Sequence, residues 1–345
     1  MIMSPSQPKK SGILNAAKEP SLCFSLLPLL LLLLPPIQST AQKSTVIGQV
    51  SGQAVYSLTQ QFLAVAPKRF NGSPGHLAAE KFIKDHFRPE AAKGDLITDE
   101  FTAYTPVGVQ TMRNYIVRYP GKAPRPGETP GIIVLATHYE TNYPLKDVNF
   151  VGANDGACTS ALLIALGQYF RAHPPEGYSV WLVFDDGEEA IANPPYDPSQ
   201  WSSSHSNNLY GTRHLAAKWY SDGTLKLIKA FIVADMIGDK DLDIDRDGNS
   251  TPWLTGTLLA AAKNTGHLAA ISKDTTPIDD DHIPFRQRGV PVLDIIDYDY
   301  GPHNNATPDG YHHTAQDTID KVSPKSLQVS ADLFLETIRL INQRQ

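Results

Sequence analysis

Ser179-Val180-Trp181-Leu182-Val183-Phe184-Asp185-Asp186-Gly187-Glu188-Glu189 sets the fold. Its first six residues are an apolar run, with no alternation of polar and apolar positions. That pattern belongs to a strand buried on both faces, as in a parallel sheet covered by helices. Four acids follow at once. In an open α/β sheet, chemistry collects at strand ends. Three further runs read the same way: 131–136, 227–234 and 290–296. Helical spacing of apolar residues marks 53–66, 74–87, 157–172, 209–220, 252–265 and 325–343. Residues 95–104 and 108–119 alternate and read as an antiparallel pair, with Thr105-Pro106 as the break. The expectation is an α/β fold: a mostly parallel central sheet, helices on both faces and an antiparallel edge. No internal repeat or linker divides it.

Five short segments carry residues of the types that bind zinc: Thr137-His138-Tyr139-Glu140, Gly152-Ala153-Asn154-Asp155-Gly156, Asp185-Asp186-Gly187-Glu188-Glu189, Val233-Ala234-Asp235 and Tyr311-His312-His313-Thr314. Each is expected to adjoin a strand end. His, Asp and Glu without cysteine form a catalytic rather than a structural zinc set. Gly152 and Gly156 permit a sharp turn around Asp155. Glu188 and Glu189 are neighbours and point differently, so one can bind metal while the other works as a base.

Residues 1–41 read as a secretory signal peptide rather than as fold. Lys9, Lys10 and Lys18 precede the apolar run 22–34, and Ser39-Thr40-Ala41 is a small-residue cleavage site. The run has 13 residues with Pro28 inside it, whereas a membrane span needs about 20. The mature chain is expected to start near Gln42 as a single catalytic domain, 42–345, that is secreted or periplasmic. It carries 27 basic and 35 acidic side chains, a formal charge of −8, and no basic cluster of the kind that binds nucleic acid. Cys158 is its one cysteine, so no internal disulfide is available, and its place at a helix start reads as buried and inert.

The chain resembles metallopeptidase family 28, which holds bacterial leucyl aminopeptidases and animal-type glutaminyl cyclases. The resemblance runs from about Asn114 to Leu335. It rests on Phe150-Val151-Gly152-Ala153-Asn154-Asp155-Gly156, on Phe184-Asp185-Asp186-Gly187-Glu188-Glu189-Ala190, and on His313-Thr314 with Asp317-Thr318-Ile319-Asp320-Lys321-Val322. It implies Asp155, Glu189 and His313 as zinc ligands and Glu188 as general acid and base. His138 and Asp235 match the pair that completes a second metal site in the aminopeptidases; in the cyclases Asp235 matches an acid of the catalytic network.

Residues 208–218 and 280–293 look like the cyclase branch. Asp280 stands where the aminopeptidases usually have Ser. Glu188, Asp235 and Asp280 crowded together favour a shared proton. The resemblance therefore implies a secreted zinc-dependent glutaminyl-peptide cyclotransferase, an acyltransferase holding one zinc. The alternatives are a two-zinc aminopeptidase, a hydrolase, and a binding domain without catalysis. Peptide or protein N-termini are the expected partners. Three positions depart from the cyclases: His312 replaces a Trp, Asp279 replaces a Gln, and Pro194 falls where a pocket Trp is expected. Trp201, Asp279 and His312 are thus the expected pocket residues, with Trp201 in place of the missing Trp. Arg213 and His214 read as anchors, and His282 as a capping residue or as support behind the ligands, rather than as a ligand itself. Asp243-x-Asp245-x-Asp247-Gly248 imitates a calcium loop, but Leu254 stands at its twelfth position, so it reads as a polar strand and turn.

Overall fold

The computed structural model describes residues 44–122, 130–192, 207–304 and 310–344. Eight strands run in chain order: β1 Leu96–Thr105, β2 Gly108–Tyr119, β3 Ile132–His138, β4 Ser179–Asp185, β5 Ile228–Asp235, β6 Ile244–Asp247, β7 Ile271–Thr276 and β8 Val292–Ile296. The helices are α1 Gly52–Val65, α2 Pro74–His86, α3 Arg88–Ala91, α4 Thr159–Ala172, α5 Tyr210–Ser221, α6 Pro252–Thr265, α7 Ile283–Arg286 and α8 Pro324–Asn342.

Six strands form the main sheet in the order β1-β2-β4-β3-β5-β8. β4, β3, β5 and β8 are mutually parallel, and β2 joins β4 antiparallel, so the hairpin β1–β2 is one edge. β3 is buried along its whole length, as its unbroken apolar run requires. Ile133 and Leu135 face α1, α4, α6 and α8, while Val134 and Ala136 face Leu215 and Trp219 of α5 and Phe285 of α7. β4 and β5 lie on opposite sides of β3, so successive crossovers leave in opposite directions there. That reversal opens a crevice at the carboxyl ends of these strands.

Two expectations change. Asp155 and His313 do not adjoin strand ends. Asp155 sits in a turn, 153–158, between β3 and α4, and His313 in the loop between β8 and α8. Long returns over the carboxyl edge bring both to the crevice. The helix expected from Ala157 starts at Thr159, because Gly156 at φ 87° breaks the regular turn. A second sheet, β6 paired parallel to β7, was not expected; β7 is exposed and polar, so periodicity gave no signal. The segment read as a polar strand and turn contributes β6. The described residues from Ser44 onward belong to one compact unit.

Candidate active site

β3, β4 and β5 deliver His138, the 185–189 loop and Asp235 side by side, since His138 pairs in register with Asp185. Asp155 lies between two histidines. His138 Nε2 is 3.1 Å from Asp155 Oδ1 and 3.4 Å from Asp235 Oδ1. His313 Nε2 is 3.4 Å from Asp155 Oδ2 and 3.0 Å from Glu189 Oε2. All five side chains are buried. Yet His138 Nδ1 and Nε2, Asp155 Oδ2 and Asp235 Oδ1 make no aligned hydrogen bond among the described residues. His313 Nε2 also pairs with Glu189 Oε1 at 3.2 Å, while the other donor atoms lie close together without such alignment. Buried polar atoms left this way are costly unless something else satisfies them. The set is nitrogen and oxygen only, which fits zinc at a catalytic site.

His138, Asp155 and Asp235 offer donors within 4.8 Å of one another, and so do Asp155, His312 and His313. His312, expected in the pocket, therefore also borders the ligands; its ring lies 3.8 Å from that of His313. Burial draws His313 down to about 4, so at neutral pH it is the uncharged imidazole a metal requires.

Glu188 lies within 4.8 Å of His138 and Glu140 and feels the charges of Asp280, Glu189 and Asp235. Burial raises its carboxyl well above the usual range, with Asp280, Glu189 and Asp235 adding to the rise. Asp235 is pushed up to about 7, by burial first and then by Asp280 and Asp155, against the pull of His138. Asp280 is raised by burial, against the pull of His282. Carboxyls this crowded share protons rather than ionise independently. A bound cation would work in the opposite direction on the groups it touches.

Behind Asp280 stands a buried trio: His282 Nε2 is 3.3 Å from Asp247 Oδ2 and its Nδ1 is 3.6 Å from Asp294 Oδ2. His282 occupies the N-cap position of α7 without a capping bond; of the two roles expected for it, the supporting one fits, its ring lying between Asp247 and Asp294. Asp279 is exposed. Trp201 lies outside the described residues. His214 stacks on Phe101 at 4.3 Å and faces Asp99 at 3.3 Å, while Arg213 donates to the Leu209 and Asn208 carbonyls; both anchor α5. Cys158 is buried and its thiol is pushed up by burial.

Further residues support the site, and of these Arg69 and Asn142 were not singled out from sequence. Arg69, fully buried, donates to five carbonyls: Tyr139, Ala66, Val151, Gly152 and Asp155. Burial lowers its guanidinium to about 10, which leaves it charged at neutral pH. Asp317 holds the other side of the same loop, accepting from the Asn154 and Asp155 N–H groups at 2.8 and 3.1 Å. The motif containing Asp317 was visible; Arg69 carried no local signal. Asn142 donates to Glu189 Oε2 at 2.7 Å, and Glu140 accepts from the Glu189 N–H at 3.1 Å. Asp186 takes the Arg113 N–H at 2.8 Å and meets His76 Nε2 at 2.8 Å, which pins the loop bearing Glu188. Leu209, Met236 and His313 are the non-glycine residues with positive φ, at 51°, 47° and 53°, among the described residues. All three border the site: Leu209 N–H donates to the Glu188 carbonyl, Met236 follows Asp235, and His313 faces Asp155 and Glu189.

Comparisons with known proteins give the family. Residues 114–338 match the model of peptidase family M28. A glutaminyl-peptide cyclotransferase from Gloydius blomhoffii is 30% identical over 326 residues, covering 84% of each chain. The crystal structure of a glutaminyl cyclase from an Acidobacteriales bacterium is 64% identical with a TM-score of 0.80, covering 90% of this chain and 99% of that one. A leucine aminopeptidase precursor from Bacteroides thetaiotaomicron, 20% identical with a TM-score of 0.68 over 85% and 98% of the two chains, shares the fold. The chain belongs to peptidase family M28, in its glutaminyl-cyclase branch.

Proposed function

We propose that this enzyme is a zinc-dependent glutaminyl-peptide cyclotransferase, which closes an N-terminal glutamine into pyroglutamate and releases ammonia. The observation that carries the reading is the 64% identity to a bacterial glutaminyl cyclase across 99% of that chain. The buried Asp280 beside Glu188 and Asp235 agrees with it. Asp155, Glu189 and His313 would hold zinc. When bound there, zinc supplies a Lewis acid that polarises the γ-carboxamide. Glu188 takes a proton from the attacking α-amine and hands it to the departing amide nitrogen. Its raised affinity for a proton lets it hold that proton between the two steps. Asp235 and Asp280 keep the proton path in place. Burial of the crevice keeps out water that would hydrolyse rather than cyclise. His312, Asp279 and Trp201 are the proposed pocket residues for the peptide.

Replacing His313 or Asp155 with Ala should abolish zinc binding, measured as metal per chain; full occupancy in either variant overturns the ligand set. Asp280→Ser, which installs the residue usual in the aminopeptidases, should cost cyclase turnover severely, whereas a peptidase would tolerate it. A second reading, a two-zinc aminopeptidase, is favoured by the convergence of His138, Asp155 and Asp235. Product analysis decides between them. One zinc with pyroglutamate from Gln-peptides supports the cyclase; two zincs with hydrolysis of Leu-anilides and no pyroglutamate moves the enzyme to the peptidase.

We also propose that residues 1–41 are a signal peptide, cut after Ala41, giving a secreted or periplasmic enzyme. No helix among the described residues is long and apolar enough to cross a membrane. The mass of the exported protein tests the cut.

A further inference from the structure

Cleavage after Ala41 exposes Gln42 as the first residue, followed by Lys43. The leader then ends one peptide bond before the one residue type that the proposed site consumes. We propose that Gln42 is itself a substrate: the enzyme closes its own mature N-terminus to pyroglutamate, one molecule acting on another. This rests on the cyclase reading above. In the step, the α-nitrogen of Gln42 bonds to its own side-chain Cδ, and the bond from Cδ to the amide nitrogen breaks. One proton passes from the α-amine to that nitrogen, and ammonia leaves. No oxidant or further reactant enters.

The structure argues for a reaction between molecules. Ser44 is docked: its Oγ donates to Glu336 Oε2 at 2.6 Å, and the Gly48 N–H donates to Asp332 Oδ1 at 2.8 Å. Both acids belong to α8. That helix crosses the molecule. At its start, the Ser323 N–H donates to the Gly238 carbonyl, just past Asp235 on the site edge. At its end, Asn342 Oδ1 accepts from the Tyr178 N–H, one residue ahead of β4, on the opposite edge. Glu336 lies twelve residues past Pro324, about 18 Å along the axis at 1.5 Å per residue. Gln42 is two residues upstream of Ser44, about 7 Å of fully extended backbone. While Ser44 is docked, the tether is too short to bring Gln42 into the crevice of its own molecule.

The test uses the mature chain with Glu188→Gln as substrate, its Gln42 freshly exposed by removal of a cleavable leader. Zinc-free wild-type chain serves as a second substrate in case the variant folds poorly. Intact mass reports the loss of one ammonia, and a short Gln-peptide is assayed in parallel. The expected result is slow spontaneous loss alone and loss about 100-fold faster with a trace of zinc-loaded wild type, in proportion to its concentration. Equal rates with and without wild type, while the Gln-peptide is cyclised, overturn this inference and leave the cyclase reading standing. Failure on both substrates overturns both. A rate in wild type alone that does not depend on protein concentration overturns the intermolecular route. An exported chain that starts at another residue overturns the assignment of Gln42.

Discussion

Two buried polar regions meet at Asp155 and are built on opposite terms. Beneath the ligand loop, every group has a partner: Arg69 spends its donors on five carbonyls, and both Asp317 carboxylate oxygens accept loop N–H groups. Above it, His138, Asp235, Asp280, His282 and Asp294 keep polar atoms without aligned partners among the described residues. A satisfied network fixes geometry, while an unsatisfied one stores free energy that a metal, a proton or a substrate can release. The lower region is scaffold and the upper one is reactive, although both are buried.

The sharpest way to break this contrast is Glu188→Gln. The isosteric amide cannot take up a proton, so turnover should fall by roughly 10²–10⁴-fold while zinc content and melting temperature hold. Steady-state kinetics beside metal analysis checks both halves, and retention of activity within a few-fold would place the proton shuttle elsewhere.

Arg69→Met attacks the lower region instead. It leaves five buried carbonyls short of donors and should cost about 3 kcal/mol of stability in denaturant melts. Because three of those carbonyls, Val151, Gly152 and Asp155, belong to the loop that aims Asp155, zinc affinity should fall as well, read by competition with a chelator. Unchanged affinity would show that Asp317 alone holds the loop.

The smallest change lies outside both regions. Gly256 sits inside α6, and a Cβ there meets nothing within 4 Å. Gly256→Ala should raise stability by about 0.5–1 kcal/mol without touching turnover. A shift in kinetics on this substitution would mean that α6 is coupled to the crevice.

Much of this was readable before any coordinates. The runs at 131–136 and 179–184 announced doubly buried strands because nothing polar interrupts them, and β3 and β4 lie where those runs stand. The acids after β4 stood out because charge directly behind such a run has few structural uses. Arg69 did not stand out, since the carbonyls of the 151–155 turn that it clamps lie 82 to 86 residues away and no periodicity links them. The His282 trio was missed for the same reason: Asp247, His282 and Asp294 come from three separate segments. Local pattern writes strands and helices into a sequence; long-range hydrogen bonding leaves no such mark.

The three left-handed residues at the site rim bear on engineering. Glycine at such a position would relieve a left-handed backbone that costs a residue with a side chain roughly 1–2 kcal/mol. Here that route is closed. His313 is a proposed zinc ligand, and Leu209 and Met236 are buried side chains whose loss would open cavities beside Glu188 and Asp235. A durable catalyst from this scaffold must be hardened on its helices, far from the crevice, with the rim left under tension.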